Sequence, residues 1–178
     1  MKNYQGFTIW FTGLPCCGKT TIADQVALLL KNKKYTVEQL DGDIIRQGVT
    51  RDLGFSKEDR DENIKRVTSI AKTLTQNNVI VLASFVSPYR TQRKNARKEI
   101  KKFIEIYVRC PVKICIQRDV KGMYKKALEW KITHFTGVDN PYEEPEHPEL
   151  ILDTDKETVE ESVRKVLNKI KELGYLTR

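Results

Sequence analysis

The sequence predicts an α/β three-layer sandwich around a five-stranded parallel sheet, and three observations carry that expectation. Short apolar runs alternate with longer segments whose apolar residues recur every three or four positions, the pattern of strands alternating with helices. The string GLPCCGKT, Gly13 to Thr20, lies between the first run and the first helical segment and matches the phosphate-binding pattern GxxxxGK[ST]. Val79 to Ala83 is apolar throughout, apart from its flanks, as a central strand covered on both faces must be. With 178 residues and no Pro/Gly/Ser linker, the chain reads as one domain over 1–178.

Each element has its own signal. Phe7 to Phe11 reads as the first strand, followed by the glycine loop and a helix that turns Ile22, Val26, Leu29 and Leu30 inward. Lys31, Lys33 and Lys34 suit the negative end of that helix. Thr36 to Leu40 is the second strand, and Asp41-Gly42-Asp43 forms its exit. Ser56 caps a helix on which Ile64, Val67, Ala71 and Leu74 share a face, and Asn77-Asn78 ends it. Val79 to Ala83 then delivers Ser84 to Arg90 to the carboxyl edge of the sheet. A basic surface helix follows, with Arg93, Lys94, Arg97, Lys98, Lys101 and Lys102 read as a solvated face. Phe103 to Val108 is the fourth strand, Val112 to Gln117 a short helix and Leu150 to Leu152 the fifth strand. Thr154 and Glu157 suggest a capping box for a last helix that presents Val159, Val163, Val166, Leu167 and Ile170 and stops at Gly174. The irregular stretch 121–149, with its three prolines, reads as a lid with its flanking loop.

Charge and cysteine usage narrow the function. The net charge is +8, but it is segregated: Arg90 to Lys131 holds 14 Lys/Arg against four Asp/Glu, and Glu143 to Glu161 holds nine acids against Lys156. No aromatic RNA-binding signature or zinc-finger spacing accompanies the basic block, so small polyanions are favoured over nucleic acid. Neither the cysteines nor His134 and His147 have metal-site spacing, and disulfides are not expected. No apolar run approaches the roughly 20 residues of a membrane span, so the expectation is a cytoplasmic protein without membrane contact.

The loop supplies Lys19 for the β- and γ-phosphates of a nucleotide and Thr20 for magnesium. It does not by itself separate kinase, ATPase and GTPase. No NKxD guanine signature is present, and Asp119-Val-Lys-Gly122 fits DxxG only beyond the fourth strand. The chain has the size of small-molecule kinases that close a lid to exclude water. Asp41 and Asp43 stand where an acceptor meets the terminal phosphate, and Arg46, Arg60 and Asn63 suit an anionic acceptor. A plain Asp-Gly turn is the competing reading of the two acids.

Taken together, GLPCCGKTT, DGD, DLGFSKEDRDENIKRV, ASFVSPYR, RDVKGMYKKA, HFTGVDNPYEEP and PEL occur in an order that resembles the adenylylsulfate kinase family over nearly the whole chain. The resemblance implies a P-loop kinase, nucleotide-kinase-like in fold, that passes the ATP γ-phosphoryl group to the ribose 3′-hydroxyl of adenylylsulfate with magnesium. It implies a homodimer and a functional partnership with ATP sulfurylase. Carried onto this sequence, it makes Asp43 the residue that orients the acceptor hydroxyl or takes its proton. Gly13, Leu14, Pro15, Cys16, Cys17, Gly18, Lys19, Thr20 and Thr21 would hold the ATP phosphates, and Arg118 the ATP adenine. Thr20 and Asp43 would face magnesium, in part through water. The acceptor would meet Asp41, Arg46, Arg60 and Asn63, its adenine sandwiched by Phe55 and Phe135, with Ser84, Phe85, Val86 and Ser87 along its border and Lys121 closing over the phosphates. Ser87 matches a serine that is phosphorylated in some relatives, and a simple loop hydroxyl is the favoured reading here. Three departures stand out: Pro15-Cys16-Cys17 in the loop, Ile44 after the acidic pair, and His134 where glycine is frequent. Cys17, near a helix N-terminus and Lys19, has two readings: a lowered thiol pKa with oxidative sensitivity, or inert packing.

Overall fold

A computed structural model describes residues 4–176. Five parallel strands, β1 (Phe7–Thr12), β2 (Val37–Asp41), β3 (Ile80–Ser84), β4 (Phe103–Arg109) and β5 (Leu150–Asp153), are ordered β2-β3-β1-β4-β5. The central strand β1 alternates strictly. Phe7, Ile9 and Phe11 enter one core with Ile22, Val26 and Leu30 of α1 (Lys19–Asn32) and Val163, Val166 and Ile170 of α7 (Val159–Glu172). Trp10 enters the other core with Ile64, Val67 and Ala71 of α3 (Lys57–Gln76) and Ala96 and Ile100 of α4 (Arg90–Ile100). Helices therefore cover both faces, and each fully buried large side chain of this kind contributes about 1.5–3 kcal/mol. Thr8 keeps its hydroxyl buried by sharing a 2.7 Å hydrogen bond with Thr75 of α3.

Several elements differ from the sequence expectation. Leu29 is exposed, and Ala23 and Ala27 share the inner face of α1 with Ile22, Val26 and Leu30. Asp41 does not lead into an open turn. It caps a six-residue helix, α2 (Gly42–Gln47), by accepting a hydrogen bond from the Asp43 amide. Beyond α5 (Val112–Arg118), the stretch read as irregular contains α6 (Met123–Leu128). The capping box of α7 is Thr158 with Glu161, one turn later than expected, because Thr154 donates instead to the Cys17 carbonyl at 2.8 Å.

The largest correction concerns α4. Arg93 is 2% exposed, and its Nε donates to Glu105 at 2.8 Å while its two terminal nitrogens donate to the carbonyls of Ser87 and Glu143, each at 2.5 Å. Arg97 grips Glu149 with two bonds of 2.7 Å. The basic helix is thus one half of an internal bond whose other half is the acidic segment Glu143 to Glu149. That segment is anchored further by the Arg90 amide, which donates to the Glu143 carboxylate.

Candidate active site

The loop after β1 is shaped by close approach. A Cβ on Gly13 would stand 2.3 Å from the Val108 carbonyl oxygen, so only glycine fits there. Gly18, at φ +103°, begins α1 without a side-chain cap, and no acid lies in the first turn. By contrast α3 and α7 are capped by Ser56 and Thr158 and carry acids in their first turns. The free amides at the start of α1 therefore suit an anion. Thr20 and Thr21 are exposed there, and Lys19 folds back to donate to the carbonyls of Gly13 (3.0 Å) and Leu14 (2.8 Å). Tyr124 of α6 donates to the Pro15 carbonyl at 3.2 Å, and Cys16 takes a left-handed φ of 60°.

The loop meets the acidic pair directly. The Thr20 hydroxyl donates to Asp41 Oδ2 at 2.7 Å, while Asp41 Oδ1 caps α2. Asp43 stands one helical step further and is held by the Lys121 ammonium, which that contact pushes to a higher pKa. Hence the structure brings Thr20 to Asp41 rather than to Asp43. A hydroxyl beside one carboxylate is a donor set that fits magnesium, an ion that takes one or two carboxylates and completes its shell with water and phosphate oxygens. Among the described residues no group of three or more His, Cys, Asp or Glu gathers as a metal cage.

The predicted acceptor residues form a second group. Arg46 lies 4.3 Å from the Phe55 ring centroid and donates to the Gly54 carbonyl at 2.9 Å. Arg60 lies 5.6 Å from the same ring. Burial lowers the pKa of both guanidinium groups, and the charge of Arg46 lowers that of Arg60 further. A bound anion would relieve that repulsion. Asn63 and Ser84 are 5% and 6% exposed, and Asn63 Oδ1 and Ser84 Oγ have no hydrogen-bond partner within the protein. Phe55 is exposed, and Phe135 is partly buried with its ring edge-on to Tyr124, 4.9 Å between centroids. Arg60 ties the two phenylalanine segments together by donating to the Phe55 and His134 carbonyls at 3.0 and 2.5 Å. His134 holds φ at +59°, a left-handed value that costs an L-residue about 1–2 kcal/mol.

Burial bears on several of the expected residues. Phe85 turns its ring into the core against Trp10, 5.6 Å between centroids, and lies beside Gly42. Ser87 is 2% exposed; its hydroxyl accepts from Trp10 Nε1 at 3.0 Å and donates to the Thr12 hydroxyl at 3.1 Å. It is spent on joining β1 to the β3 exit, which conflicts with a phosphoserine role in this conformation. Val86, partly buried, offers its carbonyl to the Thr12 hydroxyl at 2.7 Å. Cys17 is fully buried, and desolvation raises its pKa despite the nearby Lys19 charge. The helix-terminus argument from sequence gave the opposite sign because it presumed exposure.

At the other end of the site Arg118 donates to the Thr154 carbonyl at 2.6 Å. Thr154 thereby connects the proposed adenine side to the glycine loop, through its own bond to Cys17. The sequence concealed this link, since Thr154 there looks like a helix cap.

Comparisons agree with this geometry. A family model described as adenylylsulphate kinase matches residues 5–153. An adenylyl-sulfate kinase of Halothermothrix orenii is 57% identical over 176 residues, covering 99% of this chain and 95% of the relative. One from Rippkaea orientalis is 52% identical over 98% of this chain and 96% of its own length. Among solved structures, the Mycobacterium tuberculosis APS kinase in complex with AMPPNP and APS superposes with a TM-score of 0.91 at 38% identity, covering 95% of this chain and 99% of that one. A phosphate loop bonded to an Asp-Gly-Asp helix start, and likeness of this depth along almost the full length, place the chain in the adenylylsulphate kinase family.

Proposed function

We propose that the family's reaction, ATP-dependent phosphorylation of adenylylsulfate to 3′-phosphoadenylylsulfate, runs in this chain where α1 and α2 begin. The observation that carries this reading is the Thr20–Asp41 hydrogen bond, which ties the phosphate loop to the residue two positions before Asp43. Lys19 exchanges its loop carbonyls for the β- and γ-phosphates of ATP, whose remaining oxygens meet the free amides of α1. Arg118 lies along the adenine. Thr20 and Asp41 would hold magnesium, with Asp43 close by on the same helix start; when bound, the ion would offset negative charge on the phosphate oxygens.

The acceptor enters from the α2 and α3 side. Arg46, Arg60 and Asn63 hold its phosphosulfate, Phe55 and Phe135 stack on its adenine, and Ser84 and Val86 border the ribose. Asp43, released by Lys121, orients the 3′-hydroxyl and takes its proton as the oxygen bonds to the γ-phosphorus and ADP departs. Lys121 then pairs with phosphate, so closing of 121–139 is coupled to freeing the carboxylate. The chain acts as a single domain and a homodimer, with ATP sulfurylase supplying its acceptor. No helix of the described residues is long and apolar enough to cross a membrane, which supports a cytoplasmic site of action.

Chromatographic separation of nucleotides after incubation with magnesium and ATP tests the acceptor. ADP and 3′-phosphoadenylylsulfate are expected in equal amounts with adenylylsulfate, and AMP is expected to turn over at under about 1% of that rate because the two arginines lack the sulfate. Comparable turnover of AMP overturns the assignment.

A further inference from the structure

The two rings assigned to the acceptor's adenine come from segments 80 residues apart in the chain, Phe55 before α3 and Phe135 after α6. Something must fix their separation, and the bonds around Asp139 do so. Its Oδ1 accepts from the Phe135 amide and its Oδ2 from the His134 amide, each at 2.6 Å. Burial pushes the Asp139 carboxyl up, but the backbone amide donors together outweigh it and hold it below the ordinary aspartate pKa. The Phe135 carbonyl accepts from the amides of Val138, Asp139 and Asn140, which closes the turn. His134, left-handed at φ +59°, points its carbonyl at Arg60, and Arg60 reaches on to the Phe55 carbonyl.

We infer that Asp139 is a positioning residue of the acceptor site: its carboxylate locks the turn bearing Phe135 and, through the His134 carbonyl and Arg60, sets the gap between Phe135 and Phe55. The inference rests on the proposed ring sandwich. Without the carboxylate, His134 loses the support for its left-handed backbone, its carbonyl leaves Arg60, and Phe135 is no longer held at stacking distance. Arg60 on this account serves the rings as well as the anion.

Steady-state kinetics on full-length Asp139→Ala, Asp139→Asn and Phe135→Ala test this. Asp139→Ala is expected to raise KM for adenylylsulfate about tenfold, leaving KM for ATP and kcat within about twofold. Asp139→Asn, which keeps one acceptor oxygen, falls between it and the parent. The Asp139→Ala/Phe135→Ala double variant is expected to be no more than about twofold worse than Phe135→Ala, because both act through one ring. A raised KM in Phe135→Ala with parental KM in both Asp139 variants overturns the inference and leaves the sandwich standing. An unchanged KM in Phe135→Ala sinks the sandwich and the inference with it. A uniform loss of kcat and of affinity for both substrates in the Asp139 variants also overturns it, since a general folding defect acts that way.

Discussion

Arg93 with Glu105 and Lys121 with Asp43 are both cation–carboxylate pairs drawn from the same basic block, yet they occupy opposite physical regimes. The side chains of the first pair are 2% and 11% exposed, and every arm of the guanidinium is spent. Those of the second are 59% and 66% exposed, and one bond holds them. Desolvation makes the first pair costly to break and therefore structural. Water makes the second easy to exchange and worth little to stability, which leaves its partners free for ligands. Charge in a sequence thus says little about role until burial is known.

Changing one member of each pair sharpens the contrast. Asp43→Asn is expected to lower kcat about 10²–10⁴-fold while the urea midpoint stays at the parental value; a large drop in midpoint breaks the distinction. Arg93→Met does the reverse. It leaves Glu105 buried with only the 3.4 Å contact to Arg97, and a loss of about 3 kcal/mol in urea denaturation is expected. Lys121→Ala comes next, with kcat/KM down about tenfold and stability changed by under about 1 kcal/mol; activity above the parent's would mean that the lysine restrains Asp43 more than it aids transfer. The smallest effect is pH dependence at the acidic strap Glu143 to Glu149. Burial pushes the Glu149 carboxyl up, but the Arg97 fork and the Glu105 amide outweigh it, so its folded pKa is depressed. Its contribution is complete above the unfolded value of about 4.3 and is lost as pH falls through the lower folded value. Urea midpoints measured from pH 6 to pH 3 are expected to fall, and to fall less in Glu149→Gln.

Much of this was legible beforehand where the cause is local. The β1 strand, the glycine loop and the start of α1 follow from adjacent residues, and so does Ser56 as the cap of α3. Failures came where a distant partner decides. Arg93 looks solvated until Glu105 and the Glu143 carbonyl are brought to it by β4 and the strap. Two consecutive T-x-x-E strings, from Thr154 and from Thr158, are equivalent as caps in sequence. Only the demand of the Cys17 carbonyl on Thr154 chooses between them. The helix α2 was hidden because Asp-Gly favours turns, and six residues give no apolar period to read. Phe85 and Ser87 illustrate a further limit: a loop position beside a ligand site does not say which way the side chain turns.

Asp41 has one oxygen on the donor's loop and the other on the helix that presents Asp43. Mutational repair at this position has no half-measures: a change that spares one bond but not the other still disturbs the alignment of both reactants. Replacement is therefore expected to be tolerated better at Ile44, which faces solvent, than at the acid three residues earlier.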